Sequence, residues 1–203
     1  MDLNIDTYIT RARQPGTGKL WVISGPSGVG KGTLVKAVLE QLEQVVLSVS
    51  MTTRSPRPGE EEGRNYFFRT REAFEALIQE DAFLEYAQYN GNYYGTPMHF
   101  VKGALAQGQD VILEIEVQGG AQVRAKMPEH ARGIFVLPPS GAILEERLRN
   151  RQTESEAVIQ QRLDRVQEEL GYFSEYDYCL INDDLSLAVQ QLKSIIQAER
   201  LKL

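Results

Sequence analysis

Gly25-Pro26-Ser27-Gly28-Val29-Gly30-Lys31 constrains this chain more than any other stretch. Two glycines spaced by four residues and followed by lysine form the pattern of a loop that wraps a phosphate in backbone N–H groups. The flanks fit it. Leu20-Trp21-Val22-Ile23-Ser24 is a short apolar run bounded by glycine, which reads as a buried strand. Beyond the loop, Leu34, Val35, Val38, Leu39 and Leu42 fall on one face of a helix. Strand, glycine loop and helix would aim N–H groups and the positive end of a helix dipole at an anion. Lys31 adds a point charge for the β- and γ-phosphates. The plainer alternative is a glycine-rich turn with no ligand, which requires neither a strand before it nor a helix after it. One position departs from the pattern: Gly32 stands where Ser or Thr would ligate magnesium, and Thr33 follows one place late.

The chain has 203 residues, enough for one sizeable core or for one core with small inserted lobes. Apolar content of 42% and charged content of 25% are ordinary for a soluble globular protein. A net charge of -6 argues against bulk nucleic-acid binding. Cys179 has no second cysteine to pair with, and its apolar surroundings in sequence predict a small buried core residue. No run reaches the ~18 apolar residues of a membrane helix. Met1 to Asp6 lack the basic and then apolar pattern of a signal peptide. A cytoplasmic enzyme or binding module is the expected class.

Residues 1–18 are polar and weakly patterned, and read as an N-terminal extension. Gly16-Thr17-Gly18-Lys19 imitates the end of a phosphate loop, but no strand precedes it and no helix follows. Val45 to Ser50 is strand-like, and Met51 to Glu60 reads as a polar loop stiffened by two prolines. Tyr66-Phe67-Phe68 reads as a strand, and Thr70 can cap a helix carrying Phe74, Leu77 and Ile78 on one face. Phe83 to Tyr86 and the turn-rich Asn90 to Thr96 follow. This region has the look of a small lobe set into the main unit. From Pro97 a helix is expected to Gln107, a strand over Asp110–Val117, a short helix from Gly119 to near Pro128 and a strand over Arg132–Leu137. A charged helix is expected over Leu144–Arg151, and Thr153-Glu154-Ser155-Glu156 matches a capping box opening a long helix. Tyr178 to Ile181 is the last strand, before a helix with Leu187, Leu192, Ile195 and Ile196 on its apolar face. Strands alternating with helices predict a parallel α/β sheet with ligands at the strand C-termini.

Four segments carry a resemblance: Ser24 to Lys31, Thr52-Thr53-Arg54-Ser55-Pro56-Arg57-Pro58-Gly59-Glu60, Gly91-Asn92-Tyr93-Tyr94-Gly95-Thr96 and Ile181-Asn182-Asp183-Asp184. Together, and in this order, they resemble the guanylate kinase family, over nearly everything from Leu20 to the C-terminus. The resemblance implies a P-loop nucleoside monophosphate kinase fold: α/β, a parallel sheet flanked by helices, an inserted GMP-binding lobe and a lid. The implied division is an extension at 1–18 and a kinase-like domain at 19–203. Within that domain the core is 19–50, 97–139 and 166–203, the GMP-binding lobe 51–96 and the lid 140–165. The implied activity moves a phosphoryl group from ATP to GMP, with dGMP as a further acceptor and Mg²⁺ accompanying ATP.

The residue chemistry stands beside that resemblance. A phosphate dianion needs several planar or hydroxyl donors, which Arg54, Arg57, Tyr66 and Tyr94 would supply. The bland alternative is a solvated loop and two core tyrosines with their hydroxyls at the surface. Guanine presents N1–H and N2–H donors beside an O6 acceptor. The resemblance assigns Glu85 to the donors and Thr96 to O6, with Ser50 assisting; without it Glu85 reads equally as a surface glutamate at a helix end. Glu114 and Glu116 stand where the family usually has aspartates. Their implied roles are orienting a magnesium-bound water for Glu114 and contacting the nucleoside for Glu116. Met51 replaces a small polar residue common in the family.

On the donor side the resemblance assigns ATP to Gly25, Pro26, Ser27, Gly28, Val29, Gly30, Lys31, Gly32, Thr33 and Asn182. Asn182 and Pro138-Pro139-Ser140 would border the adenine. Arg147 and Arg151 share a helical face, as do Arg162 and Arg165, and solvated helices with glutamate partners would look the same. The resemblance makes Arg147, Arg151 and Arg162 lid arginines closing on the ATP phosphates, and gives Arg165 no role. The implied catalytic set is therefore Lys31, Arg54, Arg147, Arg151 and Arg162. His99 and His130 have no metal-like or triad-like neighbours in sequence. Expected partners are the small molecules ATP and GMP, with no nucleic acid and no membrane. Two other readings stay open. One is a non-catalytic guanylate-kinase-like module that binds phosphoproteins, although such modules typically lose the nucleotide loop that this chain keeps. The other is a kinase for a different monophosphate, against which Glu85 and Thr96 speak.

Overall fold

The computed structural model describes residues 5–7, 9, 18–89, 91–149 and 156–202. Arg151, the Thr153–Ser155 part of the capping box and most of the expected N-terminal extension lie outside the described residues.

Strand β1 (Leu20–Ser24) is buried along its whole length at the centre of a five-stranded sheet. The sheet order is β2 (Val45–Leu47), β7 (Asp110–Glu114), β1, β8 (Ala131–Leu137) and β9 (Tyr178–Ile181), and every pairing is parallel. Side chains alternate across a strand, so Trp21 and Ile23 face one layer and Leu20 and Val22 the other. The first layer holds Leu34, Val35 and Val38 of helix α1 (Lys31–Leu39) and Leu192 and Ile196 of helix α7 (Leu185–Arg200). The second holds Val101 and Leu105 of helix α3 (Met98–Ala106) and Val123 of helix α4 (Val117–Lys126). Covering on both faces is why β1 reads as a continuous apolar run rather than an alternating one.

A second sheet has the order β4 (Phe67–Phe68), β3 (Met51–Thr52), β6 (Asn92–Pro97) and β5 (Phe83–Tyr89). Helix α2 (Arg71–Gln79) starts where the Thr70 side chain accepts from the Ala73 N–H. Its Phe74 stacks on Phe83 at 4.3 Å and on Tyr93 at 5.2 Å, which fixes the helix to this sheet. Helices α5 (Gly141–Arg149) and α6 (Glu156–Leu170) form a third, smaller cluster through Leu144, Leu148 and Ile159, with Leu163 and Val166 packed against it.

Several sequence expectations are corrected. The strand expected over Asp110–Val117 stops at Glu114, and Glu116 stands just before a helix that starts at Val117, two residues early, without a side-chain cap. Ile115 and Val117 continue the apolar pattern, so the sequence carries no stop signal there. Met51 and Thr52 are not loop but a short strand between β4 and β6. Of the turn-rich stretch, Asn92–Pro97 is a full strand paired with β5. Glu85 lies on buried β5, not at a helix end. Cys179 is exposed rather than core, because β9 is the edge strand and Leu180, its neighbour, takes the inward-facing position. Leu187 in the first turn of α7 is also exposed, while Leu192 and Ile196 are buried as expected.

Candidate active site

The phosphate loop joins the carboxyl end of β1 to the amino end of α1. Two glycines are forced on it. Gly25 has φ 147°, and a Cβ there would lie 2.2 Å from the Val136 carbonyl oxygen of β8. Gly30 has φ 92°, and a Cβ there would lie 2.6 Å from the Asn182 side-chain nitrogen. That nitrogen donates to the Val29 carbonyl at 2.8 Å, so Asn182 braces the loop from the end of β9. Arg147 Nη1 donates in turn to the Asn182 carbonyl at 3.1 Å, which ties α5 to the same brace. Lys31 Nζ donates to the carbonyls of Gly25 at 2.5 Å and Pro26 at 3.3 Å, within the loop it follows. Arg162 of α6 reaches Ser27 Oγ at 3.4 Å.

A cavity of about 280 Å³ opens between the two sheets, near the lower end for small-molecule pockets. Ser50, Arg54, Arg57, Tyr66, Glu85, Tyr94, Glu114 and Glu116 all line it. Thr96 does not: it is fully buried behind Glu85 and donates its hydroxyl to Glu85 Oε1 at 2.6 Å. The two face each other because β5 and β6 pair Glu85 with Thr96. Burial pushes the Glu85 carboxyl above its ordinary range, and the Thr96 hydrogen bonds oppose that push. Gly119, in the first turn of α4, leaves room for the other carboxylate oxygen, since a Cβ there would lie 2.6 Å from Glu85 Oε2.

Across the cavity Arg54 pairs with Glu60 at 2.8 Å and lies over the Tyr66 ring at 5.5 Å. Glu60 also accepts from the Arg57 N–H at 2.8 Å, so one carboxylate orders both ends of the arginine loop. The Arg54 hydrogen bond, followed by that of the Arg57 N–H, holds Glu60 below the usual carboxylate range. Tyr66 and Tyr94 meet edge to face at 6.0 Å. Glu114, at the end of β7, opens onto the cleft beside Gly32. The protein around Glu114 raises its carboxyl, Lys31 lowers it and Glu116 raises it again.

A second cavity, about 370 Å³, runs between the phosphate loop and α6, lined by Ser27, Glu116, Arg162, Arg165 and Glu169 among others. Ala87 and Glu116 line both cavities, so the two lie side by side and share a wall at these residues. Glu169 is buried there and pushed up to about 7, first by burial and then by Glu116, against the opposing effects of Lys31 and the Ser27 N–H. Among the described residues no group of three or more His, Cys, Asp or Glu is placed to hold a metal on its own. A cation here would draw most of its ligands from a bound phosphate.

Sequence reasoning missed Glu60, Gly119 and Glu169. Glu60 was legible as the end of the Arg54–Glu60 segment, but not as a partner. Gly119 signals itself only as one of a glycine pair at a helix start. Glu169 sits in a Gln-Glu-Glu run that reads as a solvated helical face.

Comparison with known proteins bears on the whole chain. The sequence model of the family described as guanylate kinase matches residues 17–199. A guanylate kinase of Desulfitobacterium hafniense (strain Y51) is 55% identical over 183 residues, 90% of this chain and 91% of that protein. One of Streptococcus thermophilus (strain CNRZ 1066) is 52% identical over 186 residues, 91% of this chain and 88% of the relative. The crystal structure of guanylate kinase from Anaplasma phagocytophilum superposes with a TM-score of 0.76 at 33% identity, covering 92% of this chain and 88% of that one. No helix among the described residues is long and apolar enough to cross a membrane. With a phosphate loop on the central strand, two neighbouring cavities beside it and relatives matched along nearly its full length, the chain belongs to the guanylate kinase family.

Proposed function

We propose that the chain holds the two substrates of one phosphoryl transfer side by side, GMP in the cavity between the sheets and ATP on the phosphate loop. The chain is an ATP:GMP phosphotransferase of purine nucleotide metabolism, converting GMP and ATP to GDP and ADP. The observation that carries the base assignment is the buried Glu85–Thr96 pair at the cavity wall. A carboxylate there accepts both guanine N–H donors. Adenine would set its N1 lone pair against that carboxylate and leave buried polar groups unpaired, a mismatch such sites reject by ~10⁴ or more. The test is ADP release measured across GMP, dGMP, AMP, CMP and UMP. GMP should lead, with dGMP beside it; an equal rate with AMP would sink the base assignment.

In this reading Arg54, Arg57, Tyr66 and Tyr94 hold the GMP phosphate, with Ser50 and Glu116 against the nucleoside. Glu60 presents Arg54 to that phosphate by orienting its guanidinium. The loop N–H groups from Gly25 to Thr33 cradle ATP, and Asn182 keeps the loop in shape. Lys31 exchanges its loop carbonyls for the transferring group. Arg147 and Arg162 already stand at the loop rim and close on the phosphates with the segment 140–165 as a lid; Arg151 joins them from outside the described residues. Magnesium fits the donor set, because Glu114 faces the loop across Gly32; when bound it neutralises charge on the β- and γ-phosphates. Positioning and fixed charge supply most of the rate, and no general base is required beyond the phosphate itself. The segment 51–96 acts as the GMP-binding lobe on a core of 19–50, 97–139 and 166–203. The net charge of -6 gives no general affinity for nucleic acid, and the reading as an enzyme of nucleotide metabolism goes with a place in the cytoplasm.

A further inference from the structure

Strand β5 is irregular at the point where it carries Glu85. Its register against β6 runs from Phe83 opposite Pro97 to Glu85 opposite Thr96, so two steps on one strand meet a single step on the other. That is a β-bulge, which interrupts the ladder and re-aims a side chain. Three consecutive buried residues thereby reach three different surroundings. Phe83 stacks on Phe74, Leu84 enters an apolar cluster of the main sheet, and Glu85 lines the cavity. β5 is also the last strand of its sheet, so among the described residues no further strand pairs with its outer edge.

Helix α4 supplies what the ladder lacks there. Gly119, Gln122 and Lys126 stand three and four residues apart and share one face of it. The Gln122 side-chain amide meets both edge groups of Tyr86, accepting from its N–H at 3.3 Å and donating to its carbonyl at 3.2 Å. One amide thus serves Tyr86 as a neighbouring strand would. Lys126 Nζ donates to the Phe83 carbonyl at 3.0 Å. The backbone is held by α4 on both sides of Glu85, while Gly119 leaves room for the carboxylate itself. Gln122 lines neither cavity.

We propose that Gln122 is a positioning residue for guanine recognition: by bridging the Tyr86 backbone it fixes the Glu85 carboxylate at the angle the base requires. The proposal rests on the cavity between the sheets being the GMP site. A carboxylate that accepts two N–H donors side by side tolerates little rotation, and a misplacement of about 1 Å can cost ~10²-fold. The bulge makes such a misplacement easy, because the ladder to β6 is broken at Leu84.

The test is steady-state kinetics with GMP and with AMP on the wild type, Gln122→Met, Glu85→Gln and the double variant. Methionine keeps the length of the side chain and removes both hydrogen bonds. For Gln122→Met the expected result is a KM for GMP raised ~10-fold by the loss of two hydrogen bonds, an unchanged KM for ATP, and a lower GMP/AMP ratio of kcat/KM. In the Glu85→Gln background the same substitution should change GMP turnover by less than ~2-fold, because residues that act as a unit are not additive. Equal losses in both backgrounds, or equal losses for GMP and AMP, make Gln122 a support of the fold alone and overturn the proposal. If melting curves show that Gln122→Met does not fold, Gln122→Asn takes its place, since its shorter arm cannot bridge both groups. A wild type that does not phosphorylate GMP removes the reading of the cavity and this inference together. A wild type that does, beside an unchanged KM for GMP in the variant, removes this inference alone.

Discussion

Glu85 acquires its chemistry from the residue opposite it in the sheet. Thr96 donates to Oε1 at 2.6 Å and holds the carboxylate in place, while Gly119 leaves room for Oε2. Replacing the carboxylate by an amide keeps one acceptor and sets an N–H donor against a guanine N–H. Glu85→Gln is therefore expected to cost GMP turnover about 3 kcal/mol in kcat/KM, with AMP gaining relative to GMP. An unchanged GMP/AMP ratio would show that Glu85 does not read the base. Lys31 makes a different kind of contribution. Its ammonium sits on the loop carbonyls of Gly25 and Pro26, and Lys31 is not among the residues that line the cavity between the sheets. Lys31→Met should lower kcat by ~10³ or more with little change in GMP affinity, since the charge acts on the transferring group. Steady-state kinetics at saturating ATP decide it, and a near-normal kcat would remove Lys31 from the chemistry.

At the scale of elements, the C-terminal end of α6 carries a titration. Glu169 is buried against Glu116, with Lys31 and the Ser27 N–H on its other side, and its carboxyl stands at about 7 against an ordinary 4.5. The folded protein thus keeps a proton that the unfolded chain releases above pH 4.5. The stability tied to that proton is whole below pH 4.5 and is lost as pH rises to about 7. Glu169→Gln removes the ionisation and keeps the shape. Its melting temperature relative to the wild type should rise from pH 5 to pH 8, and calorimetric scans at both pH values check it. A constant difference would mean that Glu169 does not ionise in that window. This helix also shows where sequence reading stops. β1 was legible because both its faces are covered and the glycines on either side bound it. The end of β7 was not, because Ile115 and Val117 carry the apolar pattern across the boundary. β6 was hidden by Asn92, Gly95 and Pro97, residues of turn composition that here lie in a strand. The arginines, tyrosines and strand carboxylates that line the cavity stand in short motifs. Glu60, Gly119 and Glu169 matter only through what folding brings against them.

At the scale of the molecule, three apolar clusters divide the described chain. Two lie on the faces of the main sheet, and the third belongs to α5 and α6 alone. That third cluster is small, built on Leu144, Leu148 and Ile159, and α5 and α6 are otherwise rich in charge. It meets the phosphate loop through Arg147, Arg162 and the Leu148 side chain, which would lie 2.9 Å from a Cβ on Gly28. Such a unit can shift as one body over the loop at little cost to the main core, and closure of that kind excludes water from the transferring group. Binding that orders a segment is read as slower amide exchange. A bisubstrate analogue joining adenosine and guanosine through phosphates should therefore slow exchange in Gly141–Arg149 and in the first turns of Glu156–Leu170, while β1 and β8 exchange at their already slow rates. ADP alone should give part of the effect, if it reaches Arg147 and Arg162 from the loop side and leaves the cavity between the sheets unfilled. Equal exchange in α5 and α6 with and without the analogue would mean that the segment is a fixed wall of the ATP site and not its lid.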